Sequence, residues 1–175
     1  MFDHPLSSSE TLQTDQPSAK PALSQDETAI IDTARTILRR HAQDAIGIQS
    51  WSLLGDYLAL SAVKERIEVL RVLFLDRKNK LIRDEIISYG TIDHIPVYVR
   101  EIIRAAILLD ASAMILCHNH PSGDPSPSQS DIQMTKQVVQ GCEALGIEVH
   151  DHIIVGHGRE RNAFSMRAEG MMPEL

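Results

Sequence analysis

The chain has 175 residues, 17 Lys and Arg against 24 Asp and Glu, and a formal charge of −7. That length allows one domain and a tail, and the acidic balance argues against a broad nucleic-acid-binding face, which needs clustered cations. The two cysteines, Cys117 and Cys142, have no CxxC or zinc-finger spacing and read as buried thiols in a reducing compartment.

Residues 1–26 carry repeated Ser, Pro, Gln and Thr with few large apolar side chains, so they read as a disordered tail. Met1–Pro5 lacks the basic and apolar regions of a signal peptide, and no apolar run reaches transmembrane length, so a cytoplasmic protein without membrane contact is expected. Residues 27–63 read as two helices. Ile30, Ala34, Ile37, Leu38 and His41 share one face of the first. Trp51, Leu54, Tyr57, Leu58 and Ala62 mark the second, and both are expected to pack on the domain that follows.

Residues 64–175 read as that domain. Ile67–Leu75 is an apolar strand, Asp76–Asn79 a polar turn and Lys80–Tyr89 a returning strand, which together make a hairpin. Val99–Leu109 is a broadly apolar helix, and Met114–Cys117 a short buried strand. Ser128–Leu145 is a long helix ended near Gly146. Ile147–Val155 is the next strand, and Gly156–Gly158 its turn. Ala163–Ala168 adds an edge strand. The fold class is α/β: a mixed β-sheet flanked by helices and preceded by a short helical segment.

The chemistry concentrates after the strand that ends at Cys117. His118-Asn119-His120 is followed, after seven intervening residues, by Ser128 and then Asp131. Side chains two apart on a strand point the same way, so His118 and His120 can converge. The turn-rich Pro121–Pro127 can bring Asp131, on the first turn of the next helix, back to them. Two neutral nitrogens and a carboxylate suit Zn2+ and leave a fourth position for water, as in catalytic zinc sites. Ser128 and Asp131 also have the spacing of a helix capping box, and that role is expected alongside. His150 and His152 repeat the two-apart spacing around Asp151, and are read as supporting residues rather than a second metal site. His94 and His157 read as surface turn residues, and Asp124 as a turn residue.

This His-x-His, seven-residue, Ser-x-x-Asp pattern resembles the JAMM motif of the MPN-domain metallopeptidases. The longer string His118–Ser128 resembles the RadC branch more narrowly. Val72–Asp76, Asp84–Ile86, Gly90-Thr91, Arg100–Ile102, Asp151–Gly156 and Phe164–Arg167 extend the resemblance over roughly residues 64–172.

The resemblance implies an MPN fold, related to the cytidine deaminase-like folds, and a zinc metallopeptidase. It implies catalytic roles for two more residues. Glu68, at the start of the first core strand, would be the general base, with Glu65 and Glu85 as the alternatives. Ser128 would hydrogen-bond the oxyanion of the tetrahedral intermediate. Longer RadC-type proteins carry a helix-hairpin-helix region with a Gly-containing turn, whereas residues 1–65 here contain only Gly47 and Gly55.

The leading expectation is therefore hydrolysis of a peptide or isopeptide bond in a protein or peptide substrate. The alternative is a DNA-associated accessory protein whose metal domain is a binding module, although tight direct nucleic-acid binding is disfavoured by charge. A deaminase would want a Pro-Cys-x-x-Cys run, which is missing. The substrate and the oligomeric state are not written in the sequence.

Overall fold

The computed structural model describes residues 22–44, 51–62, 65–90, 98–156 and 162–173. Nearly all of the expected tail, together with His94 and His157, lies outside the described residues. In chain order the elements are α1 (Gln25–Asp44), α2 (Trp51–Ala62), β1 (Val69–Leu75), β2 (Leu81–Tyr89), α3 (Val99–Leu108), β3 (Ala113–Asn119), α4 (Gln129–Glu143), β4 (Glu148–Val155) and β5 (Ala163–Ser165).

The strands form one open sheet in the order β2-β1-β3-β4-β5. The hairpin β1–β2 is antiparallel, as is β1–β3, while β3 and β4 run parallel. A parallel pair needs a crossover, and α4 supplies it. All seven residues of β3 are buried, because helices cover both of its faces. On one face Met114 and Leu116 pack with Leu70, Val72 and Phe74 of β1, Ile102 and Ala106 of α3, and Val138 and Cys142 of α4. On the other, Ala113, Ile115 and Cys117 pack with Tyr57, Leu58 and Ala62 of α2. The period-two alternation of β3 thus sorts its side chains between two cores. Each fully buried Leu, Ile or Phe contributes about 1.5–3 kcal/mol.

Local chemistry sets the element ends. Asp76 Oδ1 accepts from the backbone N–H of Lys78 at 2.8 Å and of Lys80 at 2.9 Å, closing the β1–β2 turn. Asn79 takes a left-handed φ of 58° there, which Asn tolerates. Gly146, at φ 67°, ends the α4 region as the sequence suggests.

Three expectations change. α1 begins at Gln25, where Ser24 and Glu27 bond reciprocally: Ser24 N–H donates to Glu27 Oε2 at 2.8 Å and Glu27 N–H to Ser24 Oγ at 3.2 Å. Ile30 and Ile37 do not pack inward; they are 69% and 47% exposed, while Leu38 of the same helix reaches the α2-side core. β5 stops at Ser165, because the chain turns there and the Ser165 hydroxyl accepts from Ala168 N–H at 3.0 Å.

Candidate metal centre

His118 lies one residue from the end of β3, paired with Leu70 of β1 and Ile154 of β4. His120 follows the strand, but its N–H donates to Val155 O at 2.8 Å and prolongs the parallel ladder. The alternation therefore continues, and both imidazoles emerge on the α4 side. Gly123 N–H bonds back to His120 O at 3.0 Å, and Asp124 Oδ1 accepts from Ser126 N–H at 2.9 Å. These turns return the chain to Ser128, the N-cap of α4. The expected capping box is formed: Ser128 Oγ accepts from Asp131 N–H at 3.2 Å, and Asp131 Oδ2 accepts from Ser128 N–H at 2.7 Å. The Ser128 hydroxyl also donates to Asp131 Oδ2 at 2.6 Å.

Glu68 enters from the opposite direction, just ahead of β1. Its carbonyl accepts from Gly90 N–H at 2.7 Å, at the far end of the hairpin. One ligand atom each from Glu68, His118, His120 and Asp131 lies within 4.8 Å of all the others, and among the described residues this group could hold a metal ion. His118 Nε2 and His120 Nε2 are 2.9 Å apart. Asp131 approaches them at 3.4 and 3.6 Å, and Glu68 Oε1 at 3.7 and 3.6 Å. All four residues are buried or nearly so.

Tautomers sharpen the picture. His120 Nδ1 lies 2.7 Å from the Asp124 carbonyl oxygen, which can only accept. The proton of a neutral His120 is therefore on Nδ1, and its Nε2 lone pair faces His118 and the two carboxylates. Burial alone would lower the His120 pKa, but the Asp131 side chain, the Asp124 carbonyl and the Glu68 charge outweigh it and hold the value above that of ordinary imidazole. Burial would likewise raise Asp131, yet the neighbouring His118 and His120 rings and the Ser128 hydroxyl hold its carboxyl well below the usual range. Both shifts express one demand, a positive charge among these atoms. Tetrahedral zinc, with donors at 2.0–2.2 Å, wants those donors about 3.3–3.6 Å from one another. The donor set fits such an ion in chemistry, and the Asp131 distances fall in that range, while the two imidazole nitrogens stand closer at 2.9 Å.

The structure brings together Glu68, His118, His120, Asp131 and Ser128 from the sequence reading. It leaves out the alternative glutamates. Glu65 lines a small cavity on the α2 side of the sheet, with Ser61 and Arg71. Glu85 lies on β2, 3.7 Å from Arg83. His150 does not join His152 either. Its Nε2 meets Asn79 Oδ1 at 2.8 Å and its Nδ1 meets Glu148 at 3.0 Å. Asp151 is fully buried; it accepts from the N–H of His152 at 2.7 Å and of Arg167 at 2.9 Å, and from the Ser165 hydroxyl. Burial raises its pKa against those bonds, and it ties the turn after β5 to β4.

Two contributors escaped the sequence reading. Asn119 faces away from the imidazoles and binds the segment that carries Glu68. Thr135 lies one helical turn after Asp131, a spacing that places both on one face of α4 and could have signalled it. His152, expected only as a supporting residue, lies against His118, with its Nε2 2.7 Å from His118 Nδ1. Burial and then the neighbouring His118 hold its pKa well below the ordinary value.

A five-stranded mixed sheet between helices, with a His-x-His and Asp cluster at the strand ends, defines a JAB-type domain. The family model described as RadC-like JAB domain matches residues 48–171, and the chain belongs to that family. It is 44% identical over 171 residues to a UPF0758 protein of Rhodobacter capsulatus, covering 98% of this chain and 78% of that one. It is 49% identical over 140 residues to a UPF0758 protein of Ruegeria pomeroyi, covering 80% of this chain and 61% of that one, so it spans less than two thirds of the second relative. Among the described residues no helix is long and apolar enough to cross a membrane.

Proposed function

We propose that this chain is a zinc-dependent hydrolase that cleaves an amide, either a peptide or an isopeptide bond. The observation that carries the reading is the convergence of two imidazole nitrogens, 2.9 Å apart, with two carboxylates 3.4–3.7 Å from them, beside the Ser128 hydroxyl. Mixed nitrogen and carboxylate donors suit zinc better than magnesium or calcium, which prefer all-oxygen sites. His118, His120 and Asp131 would hold the ion, which when bound would polarise a carbonyl and lower the pKa of a water to about 7.

The remaining chemistry falls to this chain's own groups. Glu68 takes the proton that the attacking water gives up as its oxygen bonds to the carbonyl carbon. It returns that proton to the amine nitrogen as the carbon–nitrogen bond breaks. Ser128 would donate to the developing oxyanion, which requires its hydroxyl to turn away from Asp131 Oδ2. Asp131 would keep the Ser128 backbone N–H meanwhile, so the helix start survives the turn.

The position of Glu68 favours a second reading of that residue. Its Oε1 lies 3.6–3.7 Å from the two Nε2 atoms, against 3.4–3.6 Å for the Asp131 oxygens, so it is also placed to be a fourth ligand in a closed, structural site. Glu68→Gln separates the two. As a base, Glu68 can be lost with zinc retained and hydrolysis abolished; as a ligand, its loss takes the zinc with it. The test measures metal content of the pure protein and its Glu68→Gln variant. It then screens peptides and isopeptide conjugates before chelation, after chelation and after zinc is restored. A protein that takes up no zinc overturns the hydrolase reading.

A further inference from the structure

The geometry points to Thr135 and His152 as positioning residues that lock His118 in the tautomer able to bind a metal. The inference rests on the metal reading of His118 and adds the device that prepares it. Asp131, the ligand on α4, offers its backbone carbonyl to the Thr135 hydroxyl at 2.6 Å. Thr135 Oγ1 is 2.6 Å from His152 Nδ1, and His152 Nε2 is 2.7 Å from His118 Nδ1. Thr135 and His152 are 0% exposed and His118 is 1% exposed, which keeps bulk water from the row.

The direction of each bond follows from what each atom can do. A carbonyl oxygen only accepts, so the single Thr135 proton is spent on Asp131. The Met166 sulfur, 3.6 Å from the same hydroxyl, is a far weaker acceptor. Thr135 Oγ1 must therefore accept from His152, which puts the His152 proton on Nδ1. A neutral His152, the form burial favours, then presents a lone pair at Nε2. His118 donates to it from Nδ1, and its own lone pair is left on Nε2, facing His120, Asp131 and Glu68.

The row starts on one ligand's backbone and ends on another ligand's ring. His120 has the same tautomer fixed in one step by the Asp124 carbonyl. That step uses backbone and cannot be removed by substitution at position 124. The His118 lock runs through two side chains and can.

The test uses Thr135→Val, which keeps the shape and loses the hydroxyl, and Thr135→Ser, which keeps the hydroxyl and loses the methyl. Zinc and cobalt affinities are measured by competition with a chromophoric chelator, and folding by thermal melts. Thr135→Val is expected to weaken metal binding about 10- to 100-fold, the usual effect of removing such a supporting partner. Thr135→Ser is expected to stay near wild type. If packing is the role of this residue, the order reverses, with Thr135→Ser the weaker binder; that result, or wild-type affinity in Thr135→Val, overturns the lock. A second measurement needs neither variant. Nitrogen-15 NMR of the wild-type imidazoles should show both His118 and His152 protonated on Nδ1, whatever the state of His118 Nε2 without metal, and a His118 with no proton on Nδ1 refutes the assignment. If the wild-type protein binds neither metal, the hydrolase reading fails, while the NMR result still decides the tautomer.

Discussion

Asn119 holds the backbone on both sides of Glu68. Its Nδ2 donates to Ile67 O at 2.9 Å, and its Oδ1 accepts from Val69 N–H at 2.9 Å. Asn119 faces the opposite side of the sheet from His118 and His120, yet it fixes the carboxylate that joins them. The residue between the two imidazoles thus sets the approach of Glu68.

Asn119→Ala should remove both bonds and strand two backbone groups in a buried place. We expect a loss of about 1–3 kcal/mol of stability, read from urea unfolding. Bound zinc should persist, because the three proposed ligands are untouched. Asn119→Asp should restore the acceptor for Val69 but set an oxygen against Ile67 O, so it should not rescue stability at neutral pH.

The proposed ligands should separate from the cap. His118→Ala and His120→Ala should each abolish stoichiometric zinc, read by elemental analysis. Asp131→Ala should lose zinc and also helix-start stability of about 0.5–2 kcal/mol, the usual worth of an N-terminal cap. Full zinc occupancy in His120→Ala would remove that residue from the ligand set.

Gly156→Ala should disturb the metal loop from outside. A Cβ there would lie 2.3 Å from Gly123 O and 2.9 Å from Pro125 Cδ, so the loop has to move. We expect a cost of about 1–3 kcal/mol from overpacking, visible as a lower melting temperature. Zinc affinity should fall with it, since the same loop carries the carbonyl that orients His120.

Tyr57 should give the protein an alkaline limit. Its hydroxyl donates to Asp84 Oδ2, and Arg71 Nε lies 3.0 Å from Asp84 Oδ1. Burial, and next the Asp84 charge, push its pKa up to about 12. The unfolded value is about 10. A folded pKa above the unfolded one means that the native state holds the proton more tightly. That contribution is complete below pH about 10 and disappears as pH rises through about 12. Urea unfolding of wild type should therefore weaken across this window, while Tyr57→Phe should lack that step and be less stable near neutrality. A phenolate absorbance titration should show a component near pH 12 that Tyr57→Phe removes.

What the sequence told depended on how far apart the partners lie. His118, His120 and Asp131 occupy fourteen consecutive residues, so strand alternation and a turn-rich loop were enough to join them. Glu68 lies just ahead of β1, and only the family resemblance reached across that gap. Asn119 and Thr135 were missed because their partners are set by the register of β1 against β3 and by the crossover that lays α4 beside β4. Ile30 and Ile37 failed for a different reason. Periodicity reveals that a helix has an apolar face, but not what covers it.

The distances along the chain between bonded partners have a consequence for when the site comes into being. Thr135 and His152 are 17 residues apart, His118 and His152 are 34, and Val69 and Asn119 are 50. Loops of that size close only when β1, β3 and β4 have found one another. A chain in which β4 has not yet joined β3 holds His118, His120 and Asp131 but neither the His118 lock nor, before β1 docks, Glu68. Such a chain offers zinc a loose, local chelate, and the finished protein a built one. Free zinc at a hundred times the dissociation constant would then favour the native state by at most about 2.7 kcal/mol, less what the loose chelate takes up. Zinc would arrive late in folding and act as a latch on the assembled sheet.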